Sequence, residues 1–234
     1  MHSDRLPKRR LPKVKLRTRK ILSAIATLLL LPLCVVTTSP AAATAAVSTK
    51  PVALFIGDSY SVGTGAGDPS KRFTSITARA MHWKEVNVAL GGTGYLAAAI
   101  ENRVSHPNYL SVLRSVSIQP DIVIVSGGRN DKWNAATAQA IGTFFTELRA
   151  KFPRARLFVT SPIWDCHAKI PTKMTHIKAA VKTAARAHGA TYIDLGEPLS
   201  RHYDYVMYDW MHPNTLGHAA IARKLITELQ KVVK

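Results

Sequence analysis

The chain has 234 residues, with 32 Lys+Arg against 14 Asp+Glu and two cysteines. Two cysteines exclude a disulfide-stapled scaffold, and the chain is long enough for one domain with its own core. The basic residues beyond Lys50 are dispersed, without a run or interleaved aromatics, which argues against a nucleic-acid-binding module.

Residues 1–20 hold nine of the Lys+Arg, from Arg5 to Lys20, opposed only by Asp4. An uncharged apolar run follows over residues 21–38, then small residues including Ala43-Thr44-Ala45. Basic, apolar, then small is the order of a secretory signal, so residues 1–46 read as a leader and 47–234 as the domain. The run also reaches the length of a membrane span, so an uncleaved anchor stays open. Arg9-Arg10 suggests a twin-arginine signal, but Pro12 stands where an apolar pair is wanted. Cys34 follows the large Leu33, unlike a lipoprotein cysteine. Cleavage near Ala45 leaves Cys166 alone, either as a reactive thiol or as a small buried residue. The remaining 23 Lys+Arg face 13 Asp+Glu, about +10. That balance suggests association with anionic envelope polymers or a membrane surface. The expected location is secreted or envelope-associated.

The first strand is the apolar run 52–56, which stops at Gly57-Asp58-Ser59. A serine just beyond a buried strand is placed for nucleophilic work, or Asp58 and Ser59 cap a helix. A helix is expected over 70–83, where Ile76, Ala80 and Trp83 keep helical spacing. A second strand, 86–90, ends at Gly91-Gly92-Thr93-Gly94. A helix over 95–104 is broken by Pro107, with a short one at 109–116. The β-branched run 121–125 is the clearest strand and ends at Gly127-Gly128-Arg129-Asn130-Asp131. Then come helix 135–151, strand 156–160, helix 172–188 closed by Gly189, strand 191–195 and a last helix starting near Pro213. Five strands alternating with helices predict an α/β fold, a three-layer α/β/α sandwich on a mostly parallel sheet of about five strands.

In such a sheet the polar strand ends share one edge and can surround one cleft. Asp209 and His212, three apart on one turn, can touch. The carboxylate can then fix the imidazole while its other nitrogen faces Ser59, the roles of a Ser-His-Asp triad. Glycine turns present backbone N–H groups, which fits Gly92, and Asn130 offers a side-chain amide; the N–H of Ser59 is a third donor. Gly92 and Asn130 also fit plain turn residues. Trp133, Trp164 and Tyr95 follow strand ends and either line the site or pack in the core. His218 packs or faces solvent, and Asp165-Cys166-His167 comes nearest to a metal-binding group.

Four ordered blocks carry a resemblance: Gly57-Asp58-Ser59-Tyr60; Asn87 with Gly92; Gly128-Arg129-Asn130-Asp131; and Asp209-Trp210-Met211-His212-Pro213-Asn214. Over about residues 52–230 they resemble the SGNH (GDSL-type) hydrolase superfamily. The resemblance implies a flavodoxin-like fold, with Ser59 as nucleophile, His212 as base, Asp209 as its partner, and an oxyanion hole of Ser59, Gly92 and Asn130. It implies neither metal nor cofactor. Tyr60 stands where the family usually has leucine, a change expected to shape the pocket mouth. No G-x-S-x-G elbow surrounds Ser59, which disfavours a different hydrolase fold. The expected activity is a secreted carboxylic esterase, monomeric, acting on a small acyl ester or an O-acylated polysaccharide. Acyl transfer to a sugar hydroxyl and a non-catalytic glycan- or envelope-binding module are the alternatives.

Overall fold

Two apolar faces on each central strand organise the domain. The computed structural model describes residues 49–97 and 107–233. Strand β1 (Val52–Gly57) points Leu54 and Ile56 to one side of the sheet and Ala53 and Phe55 to the other, all buried. Strand β3 (Ile122–Ser126) does the same with Val123 and Val125 against Ile122 and Ile124. A run buried on both faces has no polar alternation, which is why it reads as unbroken Val/Ile/Leu/Phe.

The sheet runs β2-β1-β3-β4-β5 and every pairing is parallel. Its other strands are β2 (Lys84–Asn87), β4 (Arg156–Thr160) and β5 (Thr191–Ile193). One face is covered by α3 (Tyr109–Ser115), α4 (Ala135–Lys151) and α5 (Thr172–Ala187), which bring Tyr109, Phe144, Phe145, Leu148, Ile177 and Val181 to the core. The other is covered by α2 (Phe73–Ala80) and α6 (Thr215–Val232), through Phe73, Ile221, Leu225 and Leu229. This is the expected three-layer α/β sandwich with five parallel strands.

Several boundaries differ from expectation. The β2 strand begins two residues early and ends at Asn87, because it is an edge strand with only partly buried side chains. Its ladder nonetheless runs on: Val88 N–H donates to Phe55 O and Leu90 N–H to Gly57 O, both at 3.0 Å. The expected 70–83 helix is split. Asp68 caps a 3₁₀ turn at Pro69–Lys71, and extended backbone at Arg72 separates it from α2. Residues 95–97 are not helical, and the rest of the expected 95–104 helix lies outside the described residues, as does the expected leader. The last helix starts at Thr215, capped by Asn214, whose Oδ1 accepts from Leu216 and Gly217 N–H. A four-residue helix, α1 (Ser59–Val62), follows β1 directly, with Asp58 as its N-cap. Among the described residues no helix is long and apolar enough to cross a membrane.

Candidate active site

The Asp58-Ser59 pair satisfies both sequence readings at once. Asp58 Oδ1 accepts the Tyr60 N–H at 3.0 Å and caps α1. Ser59, the first helical residue, is left facing His212. The site therefore sits at the exit of β1, an inner strand of the sheet. Gly57 permits this turn, since a Cβ there would collide with the Ser126 carbonyl and the Ser61 side chain.

His212 Nε2 lies 3.0 Å from Ser59 Oγ, and His212 Nδ1 lies 2.6 Å from Asp209 Oδ2. With Asp209 accepting the Nδ1 proton, Nε2 presents its lone pair to the hydroxyl. Asp209 also organises its own turn. Its Oδ1 accepts the backbone N–H of Met211 and of His212, each at 3.0 Å. Burial pushes the Asp209 carboxyl up, but the hydrogen bonds from His212 and Met211 outweigh it and hold the carboxyl below its usual range. The turn closes through Met207 N–H to His212 O (2.8 Å), and Trp210 within it adopts the left-handed conformation, φ 58°.

The oxyanion candidates converge on the same edge. Asn130 Nδ2 donates to Thr93 O at 3.0 Å, which docks the turn after β3 on the turn holding Gly92. That uses one of the two amide protons and leaves the other available. Gly92 takes φ 77°, and a Cβ on neighbouring Gly91 would lie 3.8 Å from Ser59 Cβ, so this turn backs onto the serine. Asp131 does the holding. Its fully buried carboxylate accepts from Tyr95, Leu96 and Ala97 N–H at 2.8–2.9 Å. A cavity of about 380 Å³ opens beside Asn130, lined by Leu96, Ala97, Lys132 and Thr137.

Burial governs the remaining ionisable groups. It pushes the Asp58 carboxyl up to about 6, against the pull of Arg129 and the Tyr60 N–H. It pushes the His218 imidazole down to about 4; that ring is buried, between Phe73 N–H (3.3 Å) and Thr64 O (3.1 Å). Asp165, Cys166 and His167 bring a carboxylate oxygen, Sγ and Nδ1 within 4.8 Å of one another. The Asp165 carboxylate is already engaged there: it pairs with the Arg129 guanidinium at 3.4 Å, and its Oδ1 accepts the His167 backbone N–H at 3.0 Å and lies 2.8 Å from His167 Nδ1. Burial pushes the Cys166 thiol up. Cys166 is buried, as a small core residue would be.

Tyr60 corrects an expectation. It is 3% exposed and lines no pocket mouth; its hydroxyl lies between the Arg129 guanidinium and the Met211 carbonyl. Tyr95 belongs to the core, edge-on to Tyr109 and Phe144. Trp164 packs over Arg129, and Trp133 stacks on His176. The sequence assigns no task to Arg129 or Asp131, and gives Asp165 only its place in the nearest thing to a metal-binding group. Asp131 lay inside a quoted block, but its partners are backbone groups more than thirty positions away, which no local pattern marks.

No curated protein matches the sequence. Solved structures share the fold. One is a carbohydrate esterase family 2 enzyme with a carbohydrate-binding domain from Corynascus thermopiles (Myceliophthora fergusii), with TM-score 0.64 and 23% identity over 79% of this chain and 67% of that one. Another is a salicylyl-acyltransferase from a tetracycline biosynthetic pathway, with TM-score 0.62 and 19% identity over 80% and 56%. A third is an acetyl xylan esterase from the rumen bacterium Butyrivibrio proteoclasticus, with TM-score 0.57 and 19% identity over 78% and 64%. The chain thus spans two thirds or less of these three, and at such identities the likeness is one of fold. The sequence model of the GDSL-like lipase/acylhydrolase family matches residues 55–220, well over half the chain. The chain belongs to that family, and it is an ester hydrolase.

Proposed function

We propose that the protein is an exported serine esterase that removes small acyl groups, acetyl above all, from a polysaccharide. The observation that carries the reading is the placement of His212 between Ser59 Oγ (3.0 Å) and Asp209 Oδ2 (2.6 Å). His212 Nε2 takes the hydroxyl proton as Ser59 Oγ attacks the ester carbonyl. The oxyanion is met by the N–H groups of Ser59 and Gly92 and the free amide proton of Asn130. The tetrahedral intermediate collapses, His212 protonates the departing sugar oxygen, and an acyl-Ser59 remains. Water, deprotonated by His212, then releases the acid and restores the serine.

The glycan half of the reading rests on the surroundings of the turn. Tyr203, Tyr208 and Trp210 are exposed near Asp209 and His212, and Tyr203 sits edge-on to Trp210, 6.0 Å between ring centres. Exposed rings beside a reaction centre suit the apolar faces of sugar rings. Export is inferred from the basic, apolar, then small-residue order of residues 1–46, and envelope association from the basic balance of the rest.

Acyl transfer is the second reading, favoured by one observation. His212 is reached from an exposed turn, so a sugar hydroxyl can replace water at the second step. A series of p-nitrophenyl esters from acetate to laurate, run with Ser59→Ala alongside, tests the esterase. Serine-dependent turnover falling beyond butyrate is expected, and turnover rising with chain length would point to lipid esters instead. Acylated acceptor recovered from reactions with added oligosaccharide would favour transfer over hydrolysis.

A further inference from the structure

The reacting atoms sit on three separate segments, and one buried chain of side chains touches all three. Tyr60 follows Ser59 on α1. Its hydroxyl donates to the carbonyl of Met211, the residue before His212. The same hydroxyl accepts from Nη1 of Arg129, the residue before Asn130. Each member is therefore bonded to, or is itself, the immediate neighbour of a reacting residue.

The chain is built to stay in place. Arg129 is 5% exposed and stacks between the rings of Tyr60 and Trp164, 4.7 Å from each centre. Its charge is met by buried Asp165 at 3.4 Å. Burial pushes the Tyr60 phenol well above its ordinary value, so its proton stays available to Met211. The turn needs such a support. Trp210, a non-glycine residue, holds a left-handed backbone that costs roughly 1–2 kcal/mol. Cys166 adds a second tether, its Sγ 3.6 Å from Trp210 O.

We infer that Tyr60 and Arg129 are positioning residues that set the spacing of Ser59, Asn130 and His212. This rests on the triad reading above. Neither residue touches the reacting atoms; each acts through its neighbour. A misplacement of about 1 Å at a reacting group lowers a rate by about 100-fold, so small slips of this chain should be visible in turnover.

The test is Tyr60→Phe in the full chain, beside Arg129→Lys, Ser59→Ala and a control, Val181→Ala, in the core under α5. Competent sites are counted by titration with a p-nitrophenyl phosphonate, and kcat per titrated site is measured well below each variant's Tm. The expected result for Tyr60→Phe is a fall in kcat per site of about 10-fold or more with KM within about twofold, and a smaller fall for Arg129→Lys, which keeps the charge but not the planar contacts. Val181→Ala lowers Tm and keeps kcat per site, which is what a purely structural role for Tyr60 would also give. Wild-type kcat per site in Tyr60→Phe beside an inactive Ser59→Ala would overturn the brace alone. Turnover retained by Ser59→Ala would overturn the triad reading and the brace with it.

Discussion

Asn130 donates its side-chain amide to the Thr93 carbonyl across 3.0 Å, joining the turns that leave β3 and β2. That bond fixes the amide plane and so the direction of its second proton. Asn130→Ala removes the donor and loosens the turn that carries Gly92. Loss of one oxyanion donor lowers kcat by about 100- to 1,000-fold. The expected outcome is a kcat loss of that size with KM little changed, read on an acetyl ester. A loss below about threefold would remove Asn130 from the oxyanion hole.

Asp209→Asn tests the other end of the site. Asparagine preserves the size of the side chain, but its NH₂ can face Nδ1 and turn the imidazole to the wrong tautomer. In a triad such a change lowers kcat by about 10⁴-fold. The expected variant folds with a Tm near that of the parent, because the side-chain oxygen can still accept Met211 and His212 N–H in the turn. Near-normal kcat would mean that Asp209 merely shapes the turn.

What the sequence made legible follows from burial and range. Helix α4 was read to the residue because Asn134 caps it and Pro153 follows its end. Strands β1, β3 and β4 were read to within a residue or so because their central stretches are buried on both faces. The edge strand β2 carries Lys84 and Glu85, and its boundary shifted accordingly. The four-residue α1 is too short to show a period. At the site, the residues proposed to react lie in short local blocks that the sequence displays. Their supports do not: Tyr60 and the Met211 carbonyl are 151 positions apart, and Arg129 and Asp165 are 36 apart. Nothing local records such contacts, and a tyrosine beside the serine carries no mark of the buried partners its hydroxyl meets.

Gly94 predicts a stability effect transmitted to the site. A Cβ there would lie 2.7 Å from Asp131 Cγ, closer still to one oxygen, so Gly94→Ala must push the carboxylate aside. That carboxylate holds three backbone N–H groups, and an unmade buried bond of this kind costs about 1–3 kcal/mol. Gly94→Ala should lower the urea midpoint by at least about 2 kcal/mol in equivalent stability, and kcat should fall with it. Gly142→Ala is the control, because its added Cβ meets nothing within 4 Å. Equal midpoints for the two variants would show that Asp131 relaxes without consequence.

Asp58 and His218 give a pH prediction whose sign differs between them. Asp58 rises from 3.8 to about 6 on folding, so the folded chain holds its proton longer. Its contribution is fully present below pH 3.8 and is lost as pH rises through about 6. His218 falls from 6.5 to about 4, so the folded chain refuses a proton that the unfolded chain takes. Its contribution is present above pH 6.5 and is lost as pH falls through about 4. Between about pH 4 and 6 the two slopes oppose, each at most about 1.4 kcal/mol per pH unit, and nearly cancel. Asp58→Asn keeps the oxygen that caps α1 and leaves the His218 slope uncovered. Urea unfolding from pH 4.5 to 6 should then show stability falling on acidification more steeply than in the parent, by about 1 kcal/mol per unit. In His218→Asn the sign reverses, and stability relative to the parent should rise on acidification. Parallel curves for Asp58→Asn and the parent would mean that Asp58 titrates alike in both states, so its burial would not hold the proton.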